Sequence, residues 1–323
     1  MTTTATQKRN AYFAWASVCL IWGTTYLGIK IALETVPPFV LGGLRFTLAG
    51  LVLAIVRKLQ GKQMPKARGL LDAAIAGTLL LGFGNGGVVY AEQFVPSGLA
   101  AVMVAAVAFW MVGVEAVIPG GERLTRRSLT GLLIGFAGIV FLVWPDLRMD
   151  GSAGWGFVLG VFALQLASFG WALGSSYARR RRSEQDDLIT TSAYQMFFGG
   201  AVMLILASFT GEWRHVAFNV RTGSALAYLF AVGSLVGFVA YIYALGHLRT
   251  SFVSLYAYVN PVVAVILGTL VLNEPFGWRL VGSIAIILLG MTIVTRKKPF
   301  IPSSAPRTDE GHARARSRSL VSS

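Results

Sequence analysis

"YAEQFVPSGLAAVMVAAVA", residues 90–108, aligns without a gap with "YALGHLRTSFVSLYAYVNP", residues 243–261. The offset between the two stretches is 153 residues, and the same offset places Gly84 on Gly237. Each stretch is followed by a glutamate, Glu122 in the first half and Glu274 in the second, and then by another glycine-marked apolar run. This self-similarity predicts a chain built from two related halves.

The composition predicts that both halves lie in a membrane. The 323 residues are 55% hydrophobic and 13% charged, whereas a soluble domain carries about 25% charged residues. Apolar runs of about 20 residues are long enough to span a bilayer as helices. Ten runs qualify, at 11–31, 38–58, 70–91, 97–118, 126–145, 153–178, 189–210, 223–245, 251–273 and 277–296.

Five helices in each half are an odd number, so the second half must enter the membrane from the opposite face. We therefore predict an all-α integral membrane protein with ten transmembrane helices arranged as two inverted five-helix repeats. The predicted parts are a cytoplasmic N-terminal segment, the first repeat, an outer linker, the second repeat and a disordered basic cytoplasmic tail, at 1–10, 11–145, 146–152, 153–296 and 297–323.

The distribution of positive charge predicts the orientation. With a cytoplasmic N-terminus, 22 of the 28 Lys and Arg residues fall on the cytoplasmic side, as the positive-inside rule requires. Both termini are then cytoplasmic, and the net charge of +14 indicates contact with anionic lipid rather than with nucleic acid. Short loops and the lack of a targeting sequence favour the bacterial cytoplasmic (inner) membrane.

Several classes of site are disfavoured by the residue types present. A single cysteine, Cys19, excludes an intrachain disulfide and a cysteine-based metal cluster. The histidines lie far apart, at His215, His247 and His312. No glycine-rich stretch has the Gly-Lys-Ser/Thr ending of an ATP-binding P-loop. We expect no catalytic residue, no metal and no cofactor.

"WGTTYLGIK", which begins at Trp22, places polar residues inside the first predicted helix. Trp22, Tyr26 and Lys30 share one helix face at four-residue spacing, so this face should point into the bundle and bind substrate. The alternative is that the two aromatic residues pack and that Lys30 snorkels to the interface, with Glu34 as a partner. Trp171 is the counterpart of Trp22 in the second half and a further candidate.

Two charges lie within the predicted helices without an obvious partner nearby in sequence. Arg45 is about 10 Å from the outer end of its helix at 1.5 Å per residue, and Glu92 is at a comparable depth. We expect the two to pair, either as a fixed structural ion pair or as a gate. Glu115 should snorkel, with a proton relay as the alternative.

The remaining candidates for the substrate site are polar or aromatic residues in the middle of helices. Asn85 lies among four glycines, Trp110 lies on the fourth helix, and Tyr256 precedes the Asn260-Pro261 pair. Pro261 should kink its helix and free a backbone carbonyl. For Tyr256 and Asn260 a cavity lining competes with packing and kink repair, and for Asn85 it competes with a hydrogen bond to another helix.

The sequence resembles the drug/metabolite transporter superfamily, and specifically the EamA-like permeases. The resemblance covers roughly residues 11–296 and rests on the order and spacing of "WGTTYLGIK", "PPFVLGGLRFTLAG", "YAEQFVPSGLAAVM", "GERLTRRSLTGLLIGFAGI", "WALGSSYARR", "YALGHLRTSFVSLYAYVNPVVAVILGTLVLNEP" and "GSIAIILLGMTIV". It implies a bundle of two inverted halves that moves small metabolites or drugs without ATP. Many relatives keep a proline at the first-half position where this chain has Val107-Ala108.

These observations predict a secondary transporter, an exporter of small metabolites such as amino acids or drug-like amphipathic compounds, working by alternating access. The alternatives are a membrane-embedded lipid-modifying enzyme, which would need a carboxylate mechanism, and a non-transporting membrane scaffold. The expected partners are a small-molecule substrate and the lipid bilayer. Substrate identity, proton coupling against facilitated diffusion, and oligomeric state stay open.

Overall fold

A computed structural model describes residues 5–119, 125–147, 154–183, 186–248, 250–253 and 256–295. In these residues every regular element is a helix, and no strand is present. The predicted tail at 297–323 and most of the predicted outer linker lie outside the described residues, as does Glu122.

The first half of the chain forms five helices. They are α1 (Ala5–Ala32), α2 (Pro38–Leu59), α3 (Ala67–Ala91), α4 (Ser97–Val117) and α5 (Arg126–Leu147). A π-helical segment, Thr78–Asn85, interrupts α3, and a turn at Ala106 divides α4. Helices α2 and α4 begin directly after Pro37 and Pro96, because proline restricts its own backbone and that of the preceding residue to conformations that suit a helix start.

The second half repeats this series. Its helices are α6 (Gly154–Arg181), α7 (Leu188–Phe209), α8 (Val220–Tyr228, Leu229–Val236 and Gly237–His247), α9 (Thr250–Val253 and Tyr256–Leu272) and α10 (Trp278–Thr295). The middle segment of α8 is π-helical, like the middle of α3. Unlike the prediction, which began the first helix at residue 11, α1 starts at Ala5.

Seven of these helices, α1 to α4 and α6 to α8, are long and apolar enough to cross a membrane. Val259–Leu272 and Trp278–Ile293 are shorter apolar helices. Large apolar side chains remain exposed along these helices, among them Leu20 and Phe162, each 60% exposed. A surface of this kind is suited to lipid rather than to water.

The helices of the two halves pack against one another throughout the bundle. Helix α2 packs on α7, α4 on α9, and α5 on α10, while α1 packs on α8 and α9, and α6 packs on α3 and α4. Glycine permits the closest approaches: a Cβ on Gly50 of α2 would lie 2.5 Å from Ala193 O of α7, and one on Gly290 of α10 would lie 2.7 Å from Gly131 O of α5. Small residues of this kind let helix backbones meet in membranes.

The bundle has two ends, which we name by a residue at each. The Lys30 end carries the turns between α1 and α2, α3 and α4, α7 and α8, and α9 and α10. The Arg57 end carries the connections between α2 and α3 and between α6 and α7. Contacts between these turns show which of them lie at the same end. Examples are Ala217 N to Thr35 O at 3.0 Å and Arg57 to Asp187 at 2.7 Å.

Candidate functional site

Three aromatic side chains meet between the halves, in the interior of the bundle. Trp22 of α1 lies against Tyr241 of α8 and Tyr256 of α9, with ring centroids 5.1 and 5.0 Å away. Tyr241 and Tyr256 are themselves 5.8 Å apart. The Trp22 indole donates a hydrogen bond to Gly233 O at 3.2 Å, which fixes the ring. We call Trp22, Tyr241 and Tyr256 the aromatic cluster.

Glycines in the π-helical helices make room for the two tryptophans that the repeat pairs. A Cβ on Gly237 of α8 would lie 2.7 Å from Nε1 of Trp22, and a Cβ on Gly84 of α3 would lie 3.2 Å from Cε3 of Trp171. Each tryptophan therefore packs on a glycine of the opposite half. Trp171 thus sits against α3, in a different place from the aromatic cluster.

Asn260 and Pro261 lie beside the aromatic cluster on α9, and both are buried. In the amide orientation that satisfies its neighbours, Asn260 donates to Cys19 O of α1 and to Tyr256 O, both at 3.0 Å. The side chain thereby joins α9 to α1 directly before the proline inside the helix. This is the packing and kink-repair alternative, and it leaves substrate contact by Asn260 a prediction.

Trp110 lies in a second polar region, between α4 and α6. Its indole donates to Gln165 Oε1 at 3.0 Å, and its ring lies 5.4 Å from that of Phe169. Gln165 Nε2 and the Ser168 hydroxyl are buried without a hydrogen-bond partner in the described residues. Asn85 is half-buried at the end of the π-helical segment of α3.

Lys30 is directed inward at the Lys30 end rather than outward to solvent. Its ammonium donates to Glu92 O at 2.5 Å and to Val95 O at 3.2 Å, and so satisfies carbonyls that follow the last turn of α3. The alternative pairing of Lys30 with Glu34 is wrong, because Glu34 binds Arg221 at 3.0 Å. The predicted face of α1 therefore runs from the aromatic cluster at Trp22 to this turn.

Arg45 and Glu92 are both buried, but they do not form the expected hydrogen-bonded pair. Arg45 Nε donates to Ser234 Oγ of α8 at 2.8 Å, and its guanidinium lies 4.6 Å from the Phe46 ring. Its Nη1 atom and both carboxylate oxygens of Glu92 have no hydrogen-bond partner among the described residues. The Glu92 side chain is 0% exposed.

Two glutamates that the sequence did not single out as site residues cap helices across the halves. Glu274 accepts from Ser97 N at 2.6 Å and Gly98 N at 2.9 Å, at the start of α4. Glu212 accepts from Phe39 N and Val40 N, at the start of α2. Burial raises the pKa of the Glu212 carboxyl, against the lowering effect of these two N–H groups. One sequence feature could have indicated these caps. Proline stands at the N-cap of both helices and makes no side-chain hydrogen bond there, so a residue from elsewhere must bind the free N–H groups.

At the Arg57 end, charged side chains bind one another across the halves. Asp187 caps α7 through Thr190 N at 2.9 Å and pairs with Arg57 at 2.7 Å. Burial alone would raise the pKa of the Asp187 carboxyl, but the hydrogen bonds from Thr190 and Arg57 outweigh it and lower the pKa. Glu115 does not snorkel freely, since it binds Ser176, Arg179 and Arg180 of α6.

Taken together, the geometry offers a polar and aromatic interior between two ends that hold the halves together. Trp22, Tyr256 and Asn260 come together, and Trp110, Trp171 and Asn85 lie on the α3, α4 and α6 side. Within the described ranges, no group of three or more His, Cys, Asp or Glu residues could hold a metal ion. Stacking and hydrogen bonding to a small organic solute are the interactions that this interior can provide.

Comparison with known proteins gives a consistent assignment. The chain is 35% identical to "Uncharacterized inner membrane transporter YedA" of Escherichia coli (strain K12) over 289 residues, which is 88% of this chain and 90% of that protein. It is 27% identical over 294 residues to the "Probable amino-acid metabolite efflux pump" of the same strain, covering 85% of this chain and 91% of that protein.

The fold is likewise shared with a solved protein. A crystal structure with a TM-score of 0.61 covers 88% of this chain and 96% of its own chain at 20% identity, which shows the fold alone. Two stretches of this chain, residues 9–144 and 158–296, each match the EamA-like transporter family. The chain therefore belongs to the EamA-like transporter family.

Proposed function

We propose that this protein is a secondary transporter that exports small metabolites, such as amino acids or drug-like amphipathic compounds, by alternating access. The observation that carries the proposal is the aromatic cluster, which is built from both halves: Trp22 comes from the first, and Tyr241 and Tyr256 come from the second. Transporters of two inverted halves bind their solutes at such an interface, near the middle of the membrane.

The packing of the helices supports a ten-helix inverted repeat. The counterparts are α1 and α6, α2 and α7, and so on to α5 and α10. Exchanging every helix for its counterpart leaves three contacts unchanged: α2 with α7, α4 with α9, and α5 with α10. The same exchange turns the packing of α1 on α8 and α9 into that of α6 on α3 and α4. The same exchange relates the π-helical segment of α3 to that of α8, and the Trp22–Gly237 contact to the Trp171–Gly84 contact. The family matches each half of the chain separately, which also supports a repeat.

The orientation that we propose places the Arg57 end in the cytoplasm. The described residues at that end are rich in basic side chains: Arg57, Lys58, Lys62, Lys66, Arg68, Arg126, Arg127, Arg179, Arg180, Arg181 and Arg182. Those at the opposite end are fewer: Lys30, Arg214, Arg221 and Arg279. Lys and Arg accumulate on the cytoplasmic side of membrane proteins. Both termini are cytoplasmic in this arrangement, and the membrane is the bacterial inner membrane.

Alternating access requires the contacts between the halves at one end to separate while those at the other end hold. The Lys30 end supplies Glu274 on the start of α4 and Glu212 on the start of α2. The Arg57 end supplies Arg57 with Asp187 and Glu115 with Arg180. Each set joins the first half to the second. Opening and closing of these two sets is the gating that we propose.

The solute that best fits the interior has an apolar or aromatic part and a polar part. The rings of the aromatic cluster provide stacking surfaces, and the carboxamide of Gln165 provides a hydrogen-bonding group, because its Nε2 atom has no partner among the described residues. The relative named as a probable amino-acid metabolite efflux pump supports this class, since many amino acids and their derivatives combine the two features.

The decisive experiment compares the medium around cells that express the intact chain with that around cells expressing a Trp22→Ala/Asn260→Ala variant. Trp155→Ala is the matched control, because this tryptophan is 74% exposed. With equal amounts of protein in the membrane, we expect specific metabolites to accumulate outside for the intact chain and the control. The double variant should export them at a rate lower by about tenfold or more. Matching media for all three would contradict export.

A further inference from the structure

Glu92 is the charged residue that the proposed transport path leaves unexplained. It directly follows the last residue of α3, in the turn that leads to α4. Its side chain is fully buried, and neither carboxylate oxygen has a hydrogen-bond partner among the described residues. An ionised carboxylate in a dry interior normally binds several donors, because its burial without them is strongly unfavourable.

Four titratable or charged groups on the surrounding elements lie near enough to Glu92 to interact with its charge. They are Tyr26 and Lys30 on α1, Arg45 on α2, and Glu274 in the turn between α9 and α10. Lys30 donates to backbone carbonyls, Arg45 donates to Ser234, and Glu274 accepts from the start of α4. None of these groups donates to the Glu92 carboxylate, although Arg45 has an unused Nη1 atom.

The protonated, neutral form of Glu92 fits these surroundings better than the ionised form. Two cations nearby favour an ionised Glu92, but an ionised carboxylate would draw one of them into a hydrogen bond, and no such bond is formed. Glu274 favours the protonated form of Glu92, because it is a second carboxylate in the same region. A proton on Glu92 removes the buried charge, which is the costly feature of an ionised carboxylate inside a membrane protein.

We propose that Glu92 is a proton-binding site, protonated while the Lys30 end is closed and ionised when this end opens to water. On opening, the O–H bond of the carboxylic acid breaks, the proton passes to water, and the carboxylate is left hydrated. Closure reverses the step and takes one proton from the medium. The role in gating rests on the proposed transport function, but the proton-binding site itself does not.

The contacts that would separate when the Lys30 end opens are made by the same turn that carries Glu92. The turn that carries Glu92 is held on one side by Lys30, through Glu92 O and Val95 O, and on the other by Glu274, through Ser97 and Gly98. Glu274 comes from the second half, so separation of the halves at this end exposes the turn. In the proposed orientation, an acidic external medium therefore favours the closed end.

Infrared spectroscopy of the purified full chain in lipid bilayers tests the site without a solute. The wild type should show the carbonyl band of a protonated, poorly hydrated carboxylic acid at neutral pH. Glu92→Gln should lack this band, and Glu34→Gln, which alters an exposed glutamate at the same end, should keep it. A wild-type spectrum without the band, or a band that persists in Glu92→Gln, would overturn the proposal.

Thermal unfolding across pH gives a second, independent readout. A carboxyl that is protonated in the folded state and ionised in the unfolded state lowers stability as pH rises. From about pH 5 to about pH 8, the wild type and Glu34→Gln should lose several degrees of Tm relative to Glu92→Gln. Parallel curves for all three would overturn the site. If Glu92→Gln does not fold, Glu92→Met replaces it.

The two proposals fail separately. If the medium contains no exported metabolite but the infrared band depends on Glu92, the transport function is wrong and the proton-binding site stands. If export occurs and the band is absent, the proton-binding site alone is wrong. If both hold, export by Glu92→Gln should lose its dependence on external pH, while export by Glu34→Gln should keep it. Unchanged pH dependence in Glu92→Gln would exclude the gating role.

Discussion

At the Lys30 end, charged side chains mainly bind backbone groups of helix termini, whereas at the Arg57 end they mainly bind one another. Lys30 and Glu274 satisfy carbonyls and N–H groups around the turn between α3 and α4. Arg57 with Asp187 and Arg180 with Glu115 are ion pairs between side chains. Removing a cap leaves backbone groups with no alternative partner, but removing one ion of an exposed pair leaves the other in water.

Burial follows this division around the turn between α3 and α4, although the exposed Glu34–Arg221 pair also lies at the Lys30 end and Arg57 at the other end is 13% exposed. Glu92 and the Ser97 side chain are 0% exposed, and Arg45 is 5% exposed, all near the Lys30 end. The arginines that pair with Glu115 and Asp72 at the other end are 33% to 61% exposed. We infer that the caps at the Lys30 end hold the halves together more strongly for each contact than the exposed ion pairs at the Arg57 end.

The largest loss of stability is expected for Glu274→Ala. This change removes two charge-assisted hydrogen bonds from the buried start of α4, and the free energy of unfolding should fall by about 3 kcal/mol. Titration with a denaturing detergent, followed by circular dichroism, measures the difference. Glu34→Ala is the matched control at the same end, since its partner Arg221 is 55% exposed, and it should change little. Equal losses for the two variants would show that a buried cap is no stronger than an exposed ion pair.

An intermediate loss is expected for Asp187→Ala at the Arg57 end. Asp187 both caps α7 and binds Arg57, and loss of an N-cap costs about 1 to 2 kcal/mol. The pKa of this carboxyl is lowered in the folded state, so its contribution is present above the pKa of the unfolded chain, about 4. It is lost as the pH falls through the folded-state pKa.

The pH dependence separates this contribution from general packing. The difference in unfolding free energy between wild type and Asp187→Ala should be full near pH 7 and small near about pH 3. Asp187→Asn, which keeps part of the capping geometry, should lie between the two at neutral pH. A difference that does not change with pH would show that the charge of Asp187 contributes nothing.

The class of protein and the positions of the helices could be predicted from the sequence, because repeated apolar runs of about 20 residues are typical of helices that span a bilayer. The alignment of Tyr90 with Tyr243 also identified Gly84 and Gly237 as equivalent positions, but the contact of each with a tryptophan was not predicted and is seen only in the structure. These are local or periodic signals. The membership in a transporter family followed from the same ordered motifs.

The charged contacts could not be predicted in this way. Arg45 was expected to bind Glu92, but a serine of α8 lies closer to its Nε atom, and the sequence carries no mark of that proximity. Glu274 and Glu212 act on helices that lie far away in the chain. Such contacts depend on how the two halves meet, which a hydropathy pattern does not contain.

The smallest effect is expected for Arg179→Gln at the Arg57 end. Arg179 pairs with Glu115 at 2.7 Å but is 61% exposed, and Glu115 keeps Arg180 and Ser176 as partners after the change. The free energy of unfolding should change by less than about 0.5 kcal/mol. Arg180→Gln is the internal comparison, because Arg180 is 33% exposed and also donates to Pro119 O, and its loss should be the larger. If Arg179→Gln cost as much as Glu274→Ala, exposure would not govern the strength of these contacts, and the Arg57 end would be as firmly closed as the Lys30 end.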